Sequence, residues 1–119
     1  MAAGEVEQTS AQVPEEPGAL VAHWLEGPFN SDRLDAGIVT VSRGGATPPH
    51  VHLGGQIIVV TAGRGFVEAA GERWVVGPGD LVICPPGELH SHGAHGEDSF
   101  SHLTVTTGGY EFPGSTAAP

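Results

Sequence analysis

The sequence predicts an all-β domain, a jelly-roll-like barrel or sandwich of short antiparallel strands with little or no helix. Three observations support this prediction. Short runs rich in β-branched residues recur from Leu20 to Thr107, and Gly, Pro or Asp bounds each run. No segment sustains the 3.6-residue apolar period of an amphipathic helix. The length of 119 residues fits a single domain.

Eight runs are predicted to be strands. Between them, Ala69-Ala70-Gly71 predicts a hairpin tip and Gly77-Pro78-Gly79-Asp80 a tight corner. Most of the 19 Gly and 10 Pro residues fall between the apolar runs, which is typical of turns that connect strands. In chain order the runs are LVAHWLEG, LDAGIVTVS, GQIIVVTAG, RGFVEAAG, ERWVVG, DLVICPP, ELHSHG and SFSHLTVTTGG.

The two ends differ in composition from the region between them. Residues 1–17 are acidic, contain Pro and have few large apolar groups, which predicts a flexible tail or an arm that orders against a partner subunit. Residues 114–119 are predicted to be a short C-terminal tail, and residues 18–113 the barrel. The first residues resemble no signal peptide and Cys84 is the single cysteine, so we expect a cytoplasmic protein.

The charge excludes several classes of partner. The formal net charge is −10, from 14 acidic residues and four arginines, and there is no lysine. Nucleic acids and anionic membrane surfaces require a basic face, so neither is expected as a partner. Without lysine the chain cannot hold pyridoxal phosphate as a Schiff base. A small-molecule substrate is expected instead.

The residues at the start of the barrel predict a homodimer. Leu20, Val21 and Trp24 follow the acidic tail directly. An edge strand that exposes such groups invites pairing with another chain. Residues near 18–26 are therefore predicted to lie at or close to the dimer interface.

Seven histidines stand in the chain, and His50-Val51-His52 is their most informative grouping. In a strand, residues i and i+2 face the same side, so both imidazoles point inward or both outward. An outward pair would be solvated, whereas an inward pair needs partners because burying unpaired imidazole is costly. Gln56 also has even spacing, but Gly54-Gly55 can break the alternation, so spacing alone does not place it.

Two motifs resemble those of the cupin superfamily. In the first motif, Gly44, His50, His52 and Gly63 have the cupin spacing, with Gln56 where the usual Glu stands. In the second, Gly79, Pro85, Gly87 and His90 match, and Ala94 replaces the final Asn.

The resemblance implies a cupin jelly-roll barrel that holds one metal ion at four positions. By this resemblance the ligands are His50, His52, Gln56 and His90. The implied cofactor is one divalent transition metal, with manganese preferred and iron, nickel, cobalt, zinc or copper as alternatives. A neutral Gln ligand leaves more of the ion's charge in place than Glu would, which favours Lewis-acid over redox chemistry. A cupin that has lost tight metal binding is the alternative.

One branch of the superfamily is especially similar, the bacterial manganese-dependent cupin hydroxynitrile lyases. The similarity consists of Gln56 followed by IIVVTAG, His92 two residues after His90, and His102-Leu103 on a later strand. It implies a lyase that cleaves a small cyanohydrin, with His102 as the acid/base. Strand alternation agrees, because Phe100, His102, Thr104 and Thr106 would share one face.

The expected catalytic residues are His102, Thr47 and His92. Thr47 would hydrogen-bond the substrate oxygen, and His92 would lie beside the metal as a supporting or substrate-binding group. The metal would act as the Lewis acid while His102 takes the proton. The cavity lining is predicted to comprise Gly37, Val39, Ile58, Phe100 and Thr106, which suits a small, partly aromatic substrate.

Three other functions stay open at this point. One is a metal-dependent dioxygenase that cleaves a diketone or flavonoid. Another is an isomerase or cyclase of a sugar acid or polyketide. The third is a non-catalytic small-molecule sensor, which the absence of an attached DNA-binding domain disfavours.

Overall fold

The computed structural model describes residues 14–25, 29 and 33–112. All the extended regular elements of this part are β-strands, which confirms the predicted all-β class. None of its helices is long and apolar enough to cross a bilayer. The strands are β1 (Leu20–Trp24), β2 (Asp35–Val41), β3 (Val51–His52), β4 (Gln56–Gly63), β5 (Gly65–Ala69), β6 (Glu72–Val76), β7 (Leu81–Cys84), β8 (His90–Ala94), β9 (Phe100–Thr106) and β10 (Tyr110–Glu111).

The strands form one large and two small antiparallel sheets. The five-stranded sheet has the order β1-β2-β9-β4-β7, the three-stranded sheet the order β6-β5-β8, and β10 pairs with β3. Ala46 and His50 bridge to β8, at Gly93 and His90, which connects the segment before β3 to the three-stranded sheet. The eight predicted strands are all present, and the two-residue strands β3 and β10 are additional.

The core lies between the five-stranded and three-stranded sheets. Alternating residues of β2, β4 and β9 meet side chains from β6, β7 and β8 there, which is the layered packing of a barrel or sandwich. Phe100 and Ile58 are fully buried at its centre. The core cluster comprises Val39, Val41, Ile58, Val60, Val76, Cys84, Ala94 and Phe100.

The predicted turns have the backbone they require. Ala70 and Gly71 connect β5 to β6 with φ values of 52° and 78°, as in the turns that match the twist of a hairpin. Gly63 has a φ of 73°, and a Cβ there would lie 1.9 Å from the Ser99 carbonyl oxygen. Only glycine therefore fits at this end of β4.

The predicted tails lie largely outside the described residues. Residues 1–13 of the N-terminal tail and residues 114–119 of the C-terminal tail are not described, so the domain boundaries stay a prediction. Nearer the barrel, Ser42 Oγ donates to the Glu16 carbonyl at 2.5 Å, and Gly18 N donates to the Arg43 carbonyl at 2.8 Å.

Candidate metal centre and ligand cavity

Three buried histidines converge where the residue before β3, His50, bridges to the start of β8 at His90. The backbones of His50 and His90 exchange hydrogen bonds of 2.8 and 2.9 Å, and His52 lies on the same side of the chain as His50. The ligand nitrogens of His50, His52 and His90 lie within 4.8 Å of one another. His50 and His52 thus both face inward, and His90, which comes 38 positions after His52, joins them.

Backbone carbonyls orient two of these imidazoles. His50 Nδ1 donates to the Pro48 carbonyl at 2.9 Å, and His90 Nδ1 donates to the Glu88 carbonyl at 3.1 Å. A proton held on Nδ1 leaves the Nε2 lone pair free to bind an ion. His52 Nδ1 is buried without a hydrogen-bond partner.

Gln56, the first residue of β4, directs its amide oxygen at the same place. Its Nε2 donates to Thr104 Oγ1 at 2.5 Å, and the Thr104 hydroxyl donates to the Ile57 carbonyl at 3.4 Å. This chain of donors orients the amide so that Oε1 lies 2.8 Å from His90 Nε2. A carbonyl oxygen and an imidazole lone pair are both acceptors, and a cation between them satisfies both.

Burial favours the neutral form of the His50 and His52 imidazoles. It lowers the pKa of His50, an effect that the Pro48 carbonyl opposes and His90 reinforces. Burial, with smaller effects of His50 and His90, lowers the pKa of His52 to about 4. Metal ligation requires the neutral imidazole. Three imidazole nitrogens and a carbonyl oxygen form a donor set that fits a divalent transition metal.

His92 and His102 form a second imidazole pair beside the triad. His92 is on β8, two residues after His90, and its ring centroid lies 5.2 Å from that of His102 with the planes nearly perpendicular, at 89°. Nδ1 of His92 and both ring nitrogens of His102 are buried without hydrogen-bond partners. His92 lines the cavity described below, whereas His102 lies behind it, against Phe100.

The same burial acts on this second pair. It lowers the pKa of His92 well below its usual value, and His102 adds to the effect. Burial also lowers the pKa of His102 to about 4. The nearby Leu103 backbone raises this pKa and so opposes the effect of burial in part, although it lies outside hydrogen-bond geometry. Both rings are therefore neutral at pH 7 and able to accept a proton.

A cavity of about 330 Å³ opens above the candidate metal centre, a size suited to a small organic molecule. Its floor is His50, His52, Gln56 and His92. Its other polar groups are Asp35, Thr47, Thr104 and Thr106. Its apolar wall is Leu20, Ala22, Trp24, Val39, Tyr110 and Phe112.

The structure brings some of the predicted lining residues to this cavity and not others. Val39 and Thr106 line it. Ile58 and Phe100 belong to the core cluster instead. Gly37 does not line the cavity, but a Cβ there would lie 2.9 Å from the Trp24 ring. Its missing side chain therefore leaves room for Trp24.

Thr47 also lines the cavity, and its hydroxyl is already bonded. Thr47 Oγ1 accepts from His92 N at 3.1 Å and donates to the His92 carbonyl at 3.3 Å. These bonds attach the segment before His50 to β8 and hold the His92 backbone in place. One lone pair of the hydroxyl is left for a ligand.

Sequence reasoning missed Asp35 and most of the apolar wall. On β1, Leu20, Ala22 and Trp24 alternate, and this period could have marked them as one inward face. Asp35 pairs with Thr106 across β2 and β9, and its Oδ1 is buried without a hydrogen-bond partner. No arginine lines the cavity among the described residues.

Comparison with known families gives one match over most of the chain. Residues 37–118 match the family described as the AraC-like ligand binding domain. Among curated proteins, (R)-mandelonitrile lyase of Granulicella tundricola is 40% identical over 68 residues, which are 56% of this chain and 52% of that protein. The chain thus spans about half the length of this relative.

Solved structures share the whole barrel. A cupin-like protein of Thermotoga maritima superposes with a TM-score of 0.74 and 29% identity, over 93% of this chain and 90% of that one. The polyketide cyclase RemF of Streptomyces resistomycificus superposes with a TM-score of 0.69 and 27% identity, over 89% and 82% of the two chains. The fold is therefore the cupin jelly roll, as the two sequence motifs predict.

Proposed function

The chain belongs to the AraC-like ligand-binding domain family, and from this premise we propose that it is a metal-dependent cupin that cleaves a small neutral cyanohydrin or similar aldol-type compound. The ligands of the ion are His50, His52, Gln56 and His90. Manganese is the preferred ion. The relationship to (R)-mandelonitrile lyase supports the reaction class.

The observation that carries this proposal is the orientation of Gln56. Its amide oxygen faces His90 Nε2 at 2.8 Å, so a neutral carbonyl completes the donor set in place of a carboxylate. A bound divalent ion there retains its full charge and supplies Lewis-acid chemistry to a substrate hydroxyl. This favours the lyase over a dioxygenase, which needs the ion to change oxidation state.

The residues of the chain supply the proton transfers. We expected His102 to take the proton of the substrate hydroxyl, but His102 is fully buried and does not line the cavity. His92 faces the cavity and takes this proton instead, with His102 behind it to accept or return a proton. As the O–H proton leaves, the carbonyl double bond forms, and the electron pair of the breaking carbon–carbon bond departs with cyanide. The protonated histidine then returns its proton to cyanide, and the imidazole pair is neutral again.

The cavity supports a small substrate with an apolar body. The side chains of Trp24, Tyr110 and Phe112 offer aromatic surfaces for a ring or a short chain. The Thr47 hydroxyl contributes its one unused lone pair as a hydrogen-bond acceptor close to His92. The acidic chain disfavours anionic substrates such as sugar acids, and no arginine of the described part of the chain lines the cavity to bind one.

A second candidate function is cyclisation or isomerisation of a polyketide. The superposition with the polyketide cyclase RemF favours it. It would use the same Lewis-acid ion and the same imidazole pair for proton transfer, without the release of cyanide. Binding without catalysis is the third function that the family match accommodates.

The test is a cleavage assay on protein loaded with Mn²⁺, Fe²⁺, Ni²⁺ or Zn²⁺. Mandelonitrile is the probe, with cyanide and benzaldehyde as products and oxygen uptake recorded in parallel. The proposal predicts equal release of the two products without oxygen uptake, and none from the His50→Ala variant. Oxygen uptake with a diketone or flavonoid substrate, or no turnover with any of the four ions, would contradict it.

A further inference from the structure

Asp35 is a carboxylate inside the cavity that the proposed reaction does not use. It is the first residue of β2 and pairs with Thr106 on β9, which pairs in turn with Gln56 on β4. These three residues form one row across the sheet, on the side that faces the cavity. Asp35 therefore lies two strands away from the proposed metal ligand.

The protein leaves this carboxylate incompletely satisfied. Oδ1 is shielded from solvent and accepts no hydrogen bond, and no arginine lines the cavity among the described residues. A desolvated oxygen without a donor costs free energy. A ligand that brings a donor into the cavity recovers that cost.

We propose that Asp35 is a ligand-recognition residue that accepts a hydrogen bond from a hydroxyl or amino group of the ligand and repels carboxylates. This inference rests on the same cavity as the proposed function and narrows its ligand class. The ligand has an apolar or aromatic body, as the wall of Trp24, Tyr110 and Phe112 requires. It carries at least one donor and no negative charge.

Three probes of one shape test the proposal on metal-loaded protein: benzyl alcohol, benzylamine and benzoate. Calorimetry gives the dissociation constant of each. The comparison is between the parent protein, Asp35→Asn and the control Asp98→Asn. The control removes the same charge from an exposed turn, so it corrects for the change in net charge.

Asp35→Asn is expected to weaken benzylamine binding about tenfold and to strengthen benzoate binding by a similar factor, because one unit charge has left a partly desolvated site. Asp98→Asn should leave all three dissociation constants within about twofold. Any contact of benzoate with the metal is common to all three proteins, so the ratio of its dissociation constants between variants is the decisive quantity. Unchanged ratios in Asp35→Asn would overturn the proposal.

The outcome is separable from that of the lyase proposal. If mandelonitrile is not cleaved but the probe ratios change as expected, Asp35 still selects the ligand and only the reaction is wrong. If cleavage occurs and the ratios stay constant, the recognition role of Asp35 is wrong and the lyase proposal stands. Melting temperatures of both variants confirm that folded proteins are compared.

Discussion

Gln56 Oε1 and His90 Nε2 lie 2.8 Å apart, within hydrogen-bond distance of each other. The arrangement depends on Thr104, whose hydroxyl accepts from the Gln56 amide and donates to the Ile57 carbonyl. A hydroxyl on the neighbouring strand β9 therefore orients a proposed metal ligand on β4. Such supporting hydrogen bonds commonly change metal affinity by 10- to 100-fold.

The first prediction concerns Thr104. Thr104→Val removes the hydroxyl with little change of volume, so the Gln56 amide can rotate and metal affinity should fall about 10- to 100-fold. Thr104→Ser keeps the hydroxyl and should bind metal as the parent does. Competition with a chromogenic chelator measures both. Equal affinity in all three proteins would show that the Gln56 orientation does not matter.

The second prediction concerns the charge of the proposed amide ligand. Gln56→Glu should retain the metal but lower lyase turnover, because a carboxylate cancels part of the ion's charge and weakens its Lewis acidity. It should also make oxidation of the bound metal easier. Metal content, cyanide release and the oxidation state by electron paramagnetic resonance are measured on the same sample. Unchanged turnover would contradict the argument from charge.

The third prediction concerns the imidazole pair. His102→Ala should keep the metal and lower turnover about 100-fold, the scale of a lost proton-transfer group. His92→Ala should do the same, and the double variant should be scarcely slower than either, because the two act as a unit. If His102→Ala loses the metal, His102 is a ligand. If it keeps both metal and rate, His102 is structural.

The acid limb of the pH–rate profile follows from the burial of the imidazole pair. The free side chain titrates near 6.5, but burial lowers the pKa of His102 to about 4. The neutral base therefore persists below pH 6, and the rate should decline only as the pH approaches 4.

The fourth prediction concerns stability at acid pH. The folded-state pKa of His102, about 4, lies below the unfolded value of 6.5, so the unfolded chain binds more protons between these values. The contribution of neutral His102 to the free energy of unfolding is complete above pH 6.5. It is lost as the pH falls to about 4, and the loss is roughly 3 kcal/mol at most. With chelator present, His102→Leu should show a shallower fall in unfolding free energy over this window. Parallel curves of unfolding free energy against pH for the parent and His102→Leu would contradict this prediction.

The sequence predicted most of the barrel because strands and turns depend on local signals, whereas the proposed ligand set was implied by the resemblance of two motifs to those of the cupin superfamily. Turn residues bound each strand, and alternation placed Phe100, His102, Thr104 and Thr106 on one buried face of β9. The HxH spacing needs only one short strand to bring His50 and His52 together. His90 was implied by the resemblance of the second motif to that of the cupin superfamily.

The sequence did not predict the mouth of the cavity, because long-range pairing forms it. Trp24 reaches the cavity through the register of β1 on β2, and Tyr110 through the pairing of β10 with β3. Alternation gives the side of a sheet on which a residue lies but not its height along the barrel. Ile58 and Phe100 were therefore assigned to the cavity although they lie in the core below it.

Metal stoichiometry tests the central claim most directly. Elemental analysis of the parent protein after reconstitution and removal of free ions should find close to one divalent transition metal per chain. The His50→Ala/His52→Ala double variant, checked for fold by circular dichroism, should retain almost none. Full occupancy in the folded double variant would contradict the proposed centre, and with it the chemistry built on Gln56 and His90.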